Sequence, residues 1–375
     1  MEKVSVVECQ SYTQEEVYIA VKTALEGIGT IIPQDSTVLI KPNILSQNNP
    51  GQHTITHYAL IAALCRILKE QNCRILIGES ISFYETGLTR KAFITSGIKK
   101  VAEQYDAKLI AFEEERLIRI DKNLVGLKEL YIPSVLLEVD MVINACKLKT
   151  HSGMRLSGAV KNMFGCLPGG YKQKIHCWTN NEFELSDVIL DLHNIIKPAL
   201  SVMDAVVSLD GGPTALGRPV KTARVLAATN AAALDSIAAK MIGYKPEELP
   251  ILLQAKNRGM INNFEDITVV GEFTPIIFKK LVKNDLYTVS NRNSIFVKDT
   301  YVDLSIDRSR CKICDKCVDF CPIDGIKEED GKMLLDTGEC ISCYGCMFVC
   351  PSKAIKIKSS LMNKLIRLIR RITKL

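Results

Sequence analysis

The sequence predicts an α/β protein, with a large domain on a mostly parallel sheet followed by a small α+β domain rich in cysteine. Three observations carry this. Short runs of Val and Ile alternate with helical periods over the first 270 or so residues, which is the pattern of strands buried on both faces by helices. Eight of the 14 cysteines crowd between positions 311 and 350 in two copies of one spacing. The 375 residues, 47% of them hydrophobic and 24% charged, are ordinary globular material with room for more than one core.

Strands are expected at Val4–Val7, Val38–Ile40, Ile75–Ile77, Leu109–Ala111, Met141–Ala145, Leu200–Met203, Val225–Ala228 and Ile267–Val270, each short, apolar and bounded by turn or charged residues. Helical periods occupy Glu15–Gly27, Tyr58–Gln71, Glu184–Ile196, Ala231–Ile242 and Glu247–Asn257. Periodicity weakens from Phe273 to Asp307. The expected organisation is an α/β domain over 1–285, a linker over 286–302, the cysteine-rich domain over 303–358 and a basic amphipathic helix over 359–375.

The net charge of +6 belongs to the tail, because its last twenty residues hold seven Lys and Arg and no acid. That excludes a basic nucleic-acid face spread over the whole chain, and no specific nucleic acid is expected as a partner. No apolar run approaches the roughly 20 residues that span a bilayer, and the N-terminus lacks the layout of a signal peptide. A cytoplasmic protein is expected, in which cysteines serve as metal ligands or buried thiols.

The two cysteine runs are Cys311-x2-Cys314-x2-Cys317-x3-Cys321-Pro322 and Cys340-x2-Cys343-x2-Cys346-x3-Cys350-Pro351. Three thiolates two residues apart sit on a tight loop that wraps three corners of a cubane, so the fourth comes from elsewhere. Zinc is the competing reading, but it calls for neither the third close cysteine nor the trailing Cys-Pro. The segment resembles a bacterial two-cluster ferredoxin, in which the fourth cysteine of each run ligates the other cluster. The resemblance implies two [4Fe-4S] clusters as cofactors, one on Cys311, Cys314, Cys317 and Cys350, the second on Cys340, Cys343, Cys346 and Cys321. Both runs end alike, at Cys321–Ile326 and Cys350–Ile355, as an internal duplication would.

In parallel sheets ligands bind beyond the carboxyl ends of the strands. Lys41-Pro42-Asn43, Glu79-Ser80, Lys147 to His151, Asp204 and Asn230 follow five expected strands, and a shared rim would gather them. From Lys147 to Gly165 there are three lysines, an arginine and a histidine without one acid, leading into a helix expected from Ser157. A helix start flanked by Lys149, His151 and Arg155 would hold a carboxylate or phosphate, with Lys161 and Asn162 a turn further in. The bland alternative is a solvated basic loop. His151 is the best proton-transfer candidate of the large domain. His53, His57, His176 and His193 are expected to be structural or exposed, and Cys9, Cys65, Cys73, Cys146, Cys166 and Cys177 to be buried thiols.

Lys41-Pro42-Asn43, Gly78-Glu79-Ser80, Lys147-Leu148-Lys149-Thr150-His151, Gly158-Ala159-Val160-Lys161-Asn162 with Gly165, and Asp204 followed by Gly211-Gly212-Pro213 resemble the domain of unknown function number 362, found in iron-sulfur proteins, over about residues 36–245. The resemblance implies a large α/β domain of the kind joined to a two-cluster ferredoxin module, and no agreed reaction. No P-loop and no early Gly-x-Gly-x2-Gly are present, which disfavours nucleotide hydrolysis and leaves the Gly211–Gly217 turn as weak evidence for a dinucleotide.

In the tail, Leu361, Leu365, Leu368, Ile372 and Leu375 keep helical spacing opposite Lys364, Arg367, Arg371 and Lys374. Three occupants suit that apolar face: an anionic membrane, a partner, or the chain itself. If it is the membrane, the protein sits peripherally on its inner face.

Three functions fit these readings. In the favoured one, a ferredoxin-linked oxidoreductase passes electrons to a small anionic substrate held by Lys41, Asn43, Lys147, Lys161, Asn162, Asp204, Gly211 and Gly212. His151, Lys149 or Glu79 then serve catalysis. The second is an adaptor that delivers electrons to a redox partner protein, and the third a redox or ligand sensor.

Overall fold

The computed structural model describes residues 2–81, 87–151, 153–211, 217–279 and 302–359. Its large sheet contains β1 (Lys3–Glu8), β2 (Thr37–Pro42), β3 (Arg74–Glu79) and β4 (Lys108–Ala111). A small hairpin of β5 (Leu117–Ile120) and β6 (Leu130–Pro133) stands apart, and the sheet resumes with β7 (Met141–His151), β8 (Arg155–Ser157), β9 (Leu200–Asp210), β10 (Arg218–Ala228) and β11 (Thr268–Gly271). The order is β11-β1-β10-β9-β7-β2-β3-β4, with β8 folded back on β7. Pairs β9/β7, β7/β2, β2/β3 and β3/β4 are parallel. β10 alone along that order runs against both neighbours, because it returns from β9 as a hairpin.

Each of the eight expected strands falls on a strand of this sheet, and the expected helical periods fall on Gln14–Ile28, Tyr58–Glu70, Glu182–Ile196, Ala231–Met241 and Pro250–Asn257. Alternation along the strands sends side chains to opposite faces. Val38 and Ile40 of β2 pack with the helices Gln14–Ile28 and Tyr58–Glu70, while Leu39 joins a cluster on the other side with Val142 and Met163. The helices Glu182–Ile196, Ala231–Met241 and Pro250–Asn257 cover that other side toward β10 and β1.

Two strands outrun the expectation. β7 and β9 each extend to 11 residues, so Lys147, Lys149 and Asp204 lie within strands and not in the loops after them. The helix expected from Ser157 is also different: Ser157 ends β8, and only Ala159–Asn162 is α-helical before a short turn at Met163–Cys166.

The second domain pairs β12 (Val302–Ile306) with β15 (Ile355–Ser359), and β13 (Ile326–Glu329) with β14 (Lys332–Leu335). Each cysteine run forms a loop that enters a five-residue helix, Lys316–Phe320 in the first and Gly345–Val349 in the second. The duplication reaches the backbone, since the positive-φ residues Ile313, Asp315 and Asp324 match Ser342, Tyr344 and Lys353 at equivalent places in the two runs. The expected linker lies outside the described residues except for Val302, and so does the tail helix except for Ser359. Among the described residues no helix is long and apolar enough to cross a membrane.

One local prediction follows from the packing of Ala159–Asn162. Asp235, buried in the alanine-rich helix Ala231–Met241, accepts from Ala159 N at 2.6 Å and Val160 N at 2.9 Å. Asp235→Ala leaves two buried amides unpaired and should cost about 3 kcal/mol, read as a lowered melting temperature of the iron-loaded protein, whereas Asp235→Asn keeps an acceptor and should cost less.

Candidate functional site

At the carboxyl ends of β2 and β3, Lys41 and Glu79 form a buried ion pair, Nζ to Oε2 at 2.7 Å. Lys41 Nζ also donates to Pro42 O at 2.8 Å and Asn162 Oδ1 at 3.3 Å. Glu79 Oε2 accepts from Ile44 N at 3.1 Å and Oε1 from Ser80 N at 2.9 Å, so the carboxylate is fully engaged. Burial raises its pKa, with Lys41 and Lys172 pulling the other way. Gly165 presses on this pair: a Cβ there would come within 2.5 Å of Lys41 Nζ.

Asn43 bridges this pair to β7. Its Nδ2 donates to Asn162 Oδ1 at 2.9 Å, and its Oδ1 accepts from Lys149 Nζ at 2.7 Å. Lys149 donates as well to Thr54 O at 2.8 Å. Both partners of Lys149 are neutral, so its charge is solvated but not balanced. Lys161 donates to no acceptor among the described residues, and its positive field depresses Lys149, His151 and His176. Burial and lysine repulsion bring Lys149 down to about 7 and Lys161 to about 8.

His151 ends β7, and its Nδ1 accepts from Gly153 N and Met154 N, each at 3.1 Å. That assigns the ring proton to Nε2. Burial, then Lys161, His176 and Lys149, push its pKa well below the ordinary value. The imidazole is thus a neutral hydrogen-bond donor, with Nδ1 unavailable as a base.

A second ion pair lies one strand over, where Lys147 Nζ meets Asp204 Oδ2 at 2.9 Å with both side chains fully buried. Tyr12 joins it, accepting from Lys147 at 2.9 Å and donating to Asp204 Oδ1 at 2.8 Å. His57 N also donates to Asp204, and the His57 ring stacks on Tyr12 at 3.8 Å. Burial pushes Asp204 up, but Lys147 and these donors outweigh it and hold the carboxyl below its usual range.

The rim therefore gathers four of the five expected strand ends. Asn230 is not among them, because β10 is antiparallel and its end points to the opposite edge; there Asn230 caps the helix Ala231–Met241 through Ala232 N and Ala233 N. The expected anion seat at the helix start is likewise taken, since Asp235 holds those amides. Arg155 turns to the Glu248 carbonyl. Gly211 (φ +80°) is tied to β7 through Thr150 Oγ1 at 2.9 Å, and Gly212 lies outside the described residues.

His57 and His176, expected to be structural or exposed, lie against these networks, His57 stacked on Tyr12 and His176 within the field of Lys161. Lys172 was also missed: it is buried and bonds the carbonyls of Ser80 and Leu167. The available signals were Asp235 in an alanine helix and Asn144 in an apolar strand, where it holds Asn162 at 2.8 Å. Cys166 is a buried thiol, pushed up to about 12 by burial.

In the second domain the cysteines assemble around two cavities. One, with about 330 Å³ of empty space, is lined by Cys311, Cys314, Cys317 and Cys350; the other, about 360 Å³, by Cys321, Cys340, Cys343 and Cys346. Each set takes one thiol from the other run, the exchange that the ferredoxin resemblance implies. Backbone amides point at the sulfurs, from Gly325 to Cys321 at 3.3 Å, Ser342 to Cys340 at 3.4 Å and Ala354 to Cys350 at 3.3 Å. Thiols spread over a cavity wall, with amide donors behind them, fit an iron-sulfur cluster.

The second cavity abuts the large domain. Gly170 N donates to Ser342 O at 2.9 Å, and Ile341 is buried in the main core. A Cβ on Gly169, at φ +53°, would meet Cys343 O at 2.6 Å, and one on Gly170 would meet Tyr344 Oη at the same distance. Gly169 N in turn donates to Ser80 Oγ at 3.0 Å, beside Glu79.

Fold and cysteine geometry define the class: an α/β domain joined to a ferredoxin-type module. A 4Fe-4S dicluster domain matches residues 303–351, so the module binds iron-sulfur and serves electron transfer. The chain belongs to the family described as "Domain of unknown function (DUF362)", whose model matches residues 38–240. It is similar to the thylakoid-associated protein sll1697 of Synechocystis sp., 25% identical over 272 residues that make 72% of this chain and 83% of that protein. The lactate racemase apoprotein from Thermoanaerobacterium thermosaccharolyticum aligns with 63% of this chain at 15% identity and a TM-score of 0.38. This chain covers 55% of that one, a likeness too slight to carry chemistry across.

Lys149 and Lys161 generate a pH prediction. With folded pKa values lowered to about 7 and 8, the unfolded chain binds more protons between there and the ordinary lysine value, so stability of the ligand-free protein should rise with pH across that window. An anion favours the charged lysines and reverses the sign. Binding of inorganic phosphate or acetate, followed by calorimetry, should weaken by about tenfold per pH unit above about 8 and largely vanish in Lys161→Ala.

Proposed function

We propose that this protein is an iron-sulfur oxidoreductase. It holds two [4Fe-4S] clusters, one on Cys311, Cys314, Cys317 and Cys350 and the other on Cys321, Cys340, Cys343 and Cys346, and it passes single electrons to a small anionic substrate under the carboxyl edge of the sheet. The observation that carries this reading is the contact of the Ser342–Tyr344 loop with Gly169 and Gly170, one hydrogen bond from Ser80 and the Lys41–Glu79 pair. Bound clusters supply one electron each.

The residues divide the remaining work. Lys161 and Lys149 supply unbalanced positive charge for the anion, and His151 Nε2 donates a hydrogen bond without itself being charged. Lys41, Asn43 and Asn162 fix the position of Lys149 relative to the Glu79 pair, while Lys147 and Asp204 neutralise each other beside it. Lys149, with a pKa brought to about 7, is the group best matched to giving up a proton near neutral pH.

Anaerobically reduced protein tests this. With dithionite present in excess as the electron donor, a reducible small carboxylate or phosphate ester should reoxidise it over many turnovers, watched at the cluster absorbance, and Lys149→Ala should lower that rate at least a hundredfold while all eight irons remain. Reoxidation that needs a second protein and survives Lys149→Ala would instead establish the adaptor.

We propose further that residues 359–375 hold the protein peripherally at a membrane, supported by the spacing of Leu361, Leu365 and Leu368 opposite Lys364, Arg367 and Arg371, and by a relative named as thylakoid-associated. Removing 360–375 should abolish salt-sensitive binding to vesicles of anionic phospholipid; unchanged binding would refute it.

A further inference from the structure

We infer that the loop around the Cys311–Cys314–Cys317 cavity is the docking surface for an acidic one-electron carrier protein, and that electrons enter there and leave through the second cavity toward the large domain. This rests on the proposed pair of clusters and adds the order of transfer and the kind of partner.

The duplication supplies an internal control, because equivalent positions of the two loops differ in one consistent sense. Cys311-Lys312-Ile313-Cys314-Asp315-Lys316-Cys317 aligns with Cys340-Ile341-Ser342-Cys343-Tyr344-Gly345-Cys346. Where the first loop has Lys312, Asp315 and Lys316, all exposed, the second has Ile341, Tyr344 and Gly345, all buried. The reason for the second set is visible: Ile341 enters the main core, Tyr344 meets Gly170, and Gly345 leaves room for Phe320. That loop has no surface left for a partner.

The first loop keeps its surface. Cys314 is exposed, and Lys312 and Lys316 line the cavity wall, which no described acidic side chain does. Arg308 and Arg310 precede them in the exposed approach to Cys311. Of the nearby acids, Asp307 is engaged by Lys356 at 2.6 Å and Arg310 at 3.8 Å, leaving Asp315 and Asp319 against four cations. A basic collar around an exposed electron port selects an acidic carrier and speeds its encounter. The step would move one electron and no atoms: the carrier would be oxidised by one electron, and Cys311, Cys314, Cys317 and Cys350 would hold the [4Fe-4S] cluster that takes it up. The acidic turn Glu328–Asp330 is the competing charged surface of the same domain.

The test is stopped-flow reduction of the full-length, iron-loaded protein by a reduced acidic [2Fe-2S] ferredoxin, beside methyl viologen radical as a small donor. The ferredoxin rate should fall steeply with ionic strength, and Lys312→Glu/Lys316→Glu should lower it about tenfold at low salt with the viologen rate and iron content unchanged. A rate indifferent to salt and to this double reversal, or a larger loss from Glu328→Lys/Glu329→Lys, would overturn the docking surface. Iron content separates the two levels of inference: eight irons with no charge dependence removes the docking surface alone, whereas fewer than eight in reconstituted protein removes the two-cluster reading with it.

Discussion

A buried ammonium needs a carboxylate or several carbonyls, and the carboxyl edge of this sheet is organised by that need. Lys41, Lys147, Lys149 and Lys172 are all buried there, and Lys41 and Lys147 meet the carboxylates of Glu79 and Asp204. Carbonyl oxygens of Thr54, Ser80 and Leu167, with the amide of Asn43, serve the others. Hydrogen bonds to neutral groups solvate a cation without cancelling its field. Burial, reinforced by this excess positive charge, lowers Lys149, Lys161, His151 and His176 together.

The same constraint shapes the backbone. Glycine at 165 lets Lys41 and Glu79 pack against the turn after the short helix, and glycine at 158 leaves the space that Asp235 fills. Gly169, at positive φ, brings the next turn against Cys343. These glycines lie within one stretch, so the segment that closes the lysine edge also receives the second cysteine loop.

Most of the sheet was legible because its strands are continuous Val and Ile runs, and such runs have one stable use in a chain that alternates with helices. The charged ends were legible for the same reason: Lys41 or Glu79 directly after an apolar run has to emerge at a strand terminus. Direction was not legible. Nothing in Val225–Ala228 distinguishes a strand returning as a hairpin from a crossover strand, so Asn230 was assigned to the wrong edge. The contact partners that decide the site come from far along the chain. Asp235 occupies the amides after Gly158, and Tyr12 completes a pair formed by residues 147 and 204. No local pattern announces pairings of that span. The cysteine-rich module, in contrast, was readable from its repeated spacing, through the resemblance to a bacterial ferredoxin.

An ancestral duplication makes two equal loops, and equality is what this chain has lost. Burying Ile341 and Tyr344 against the large domain removes apolar surface from water at one loop, and Lys312 and Asp315 at the equivalent places of the other would be costly there because their charged groups would lose hydration without partners. The exchange of Lys312 for Ile341 and of Asp315 for Tyr344 thus favours the second half of the module facing inward. The difference between the two loops at these positions goes with the difference in what they face. A symmetric module would present either loop to the large domain; this one turns the Ile341–Tyr344 loop toward Gly169 and Gly170.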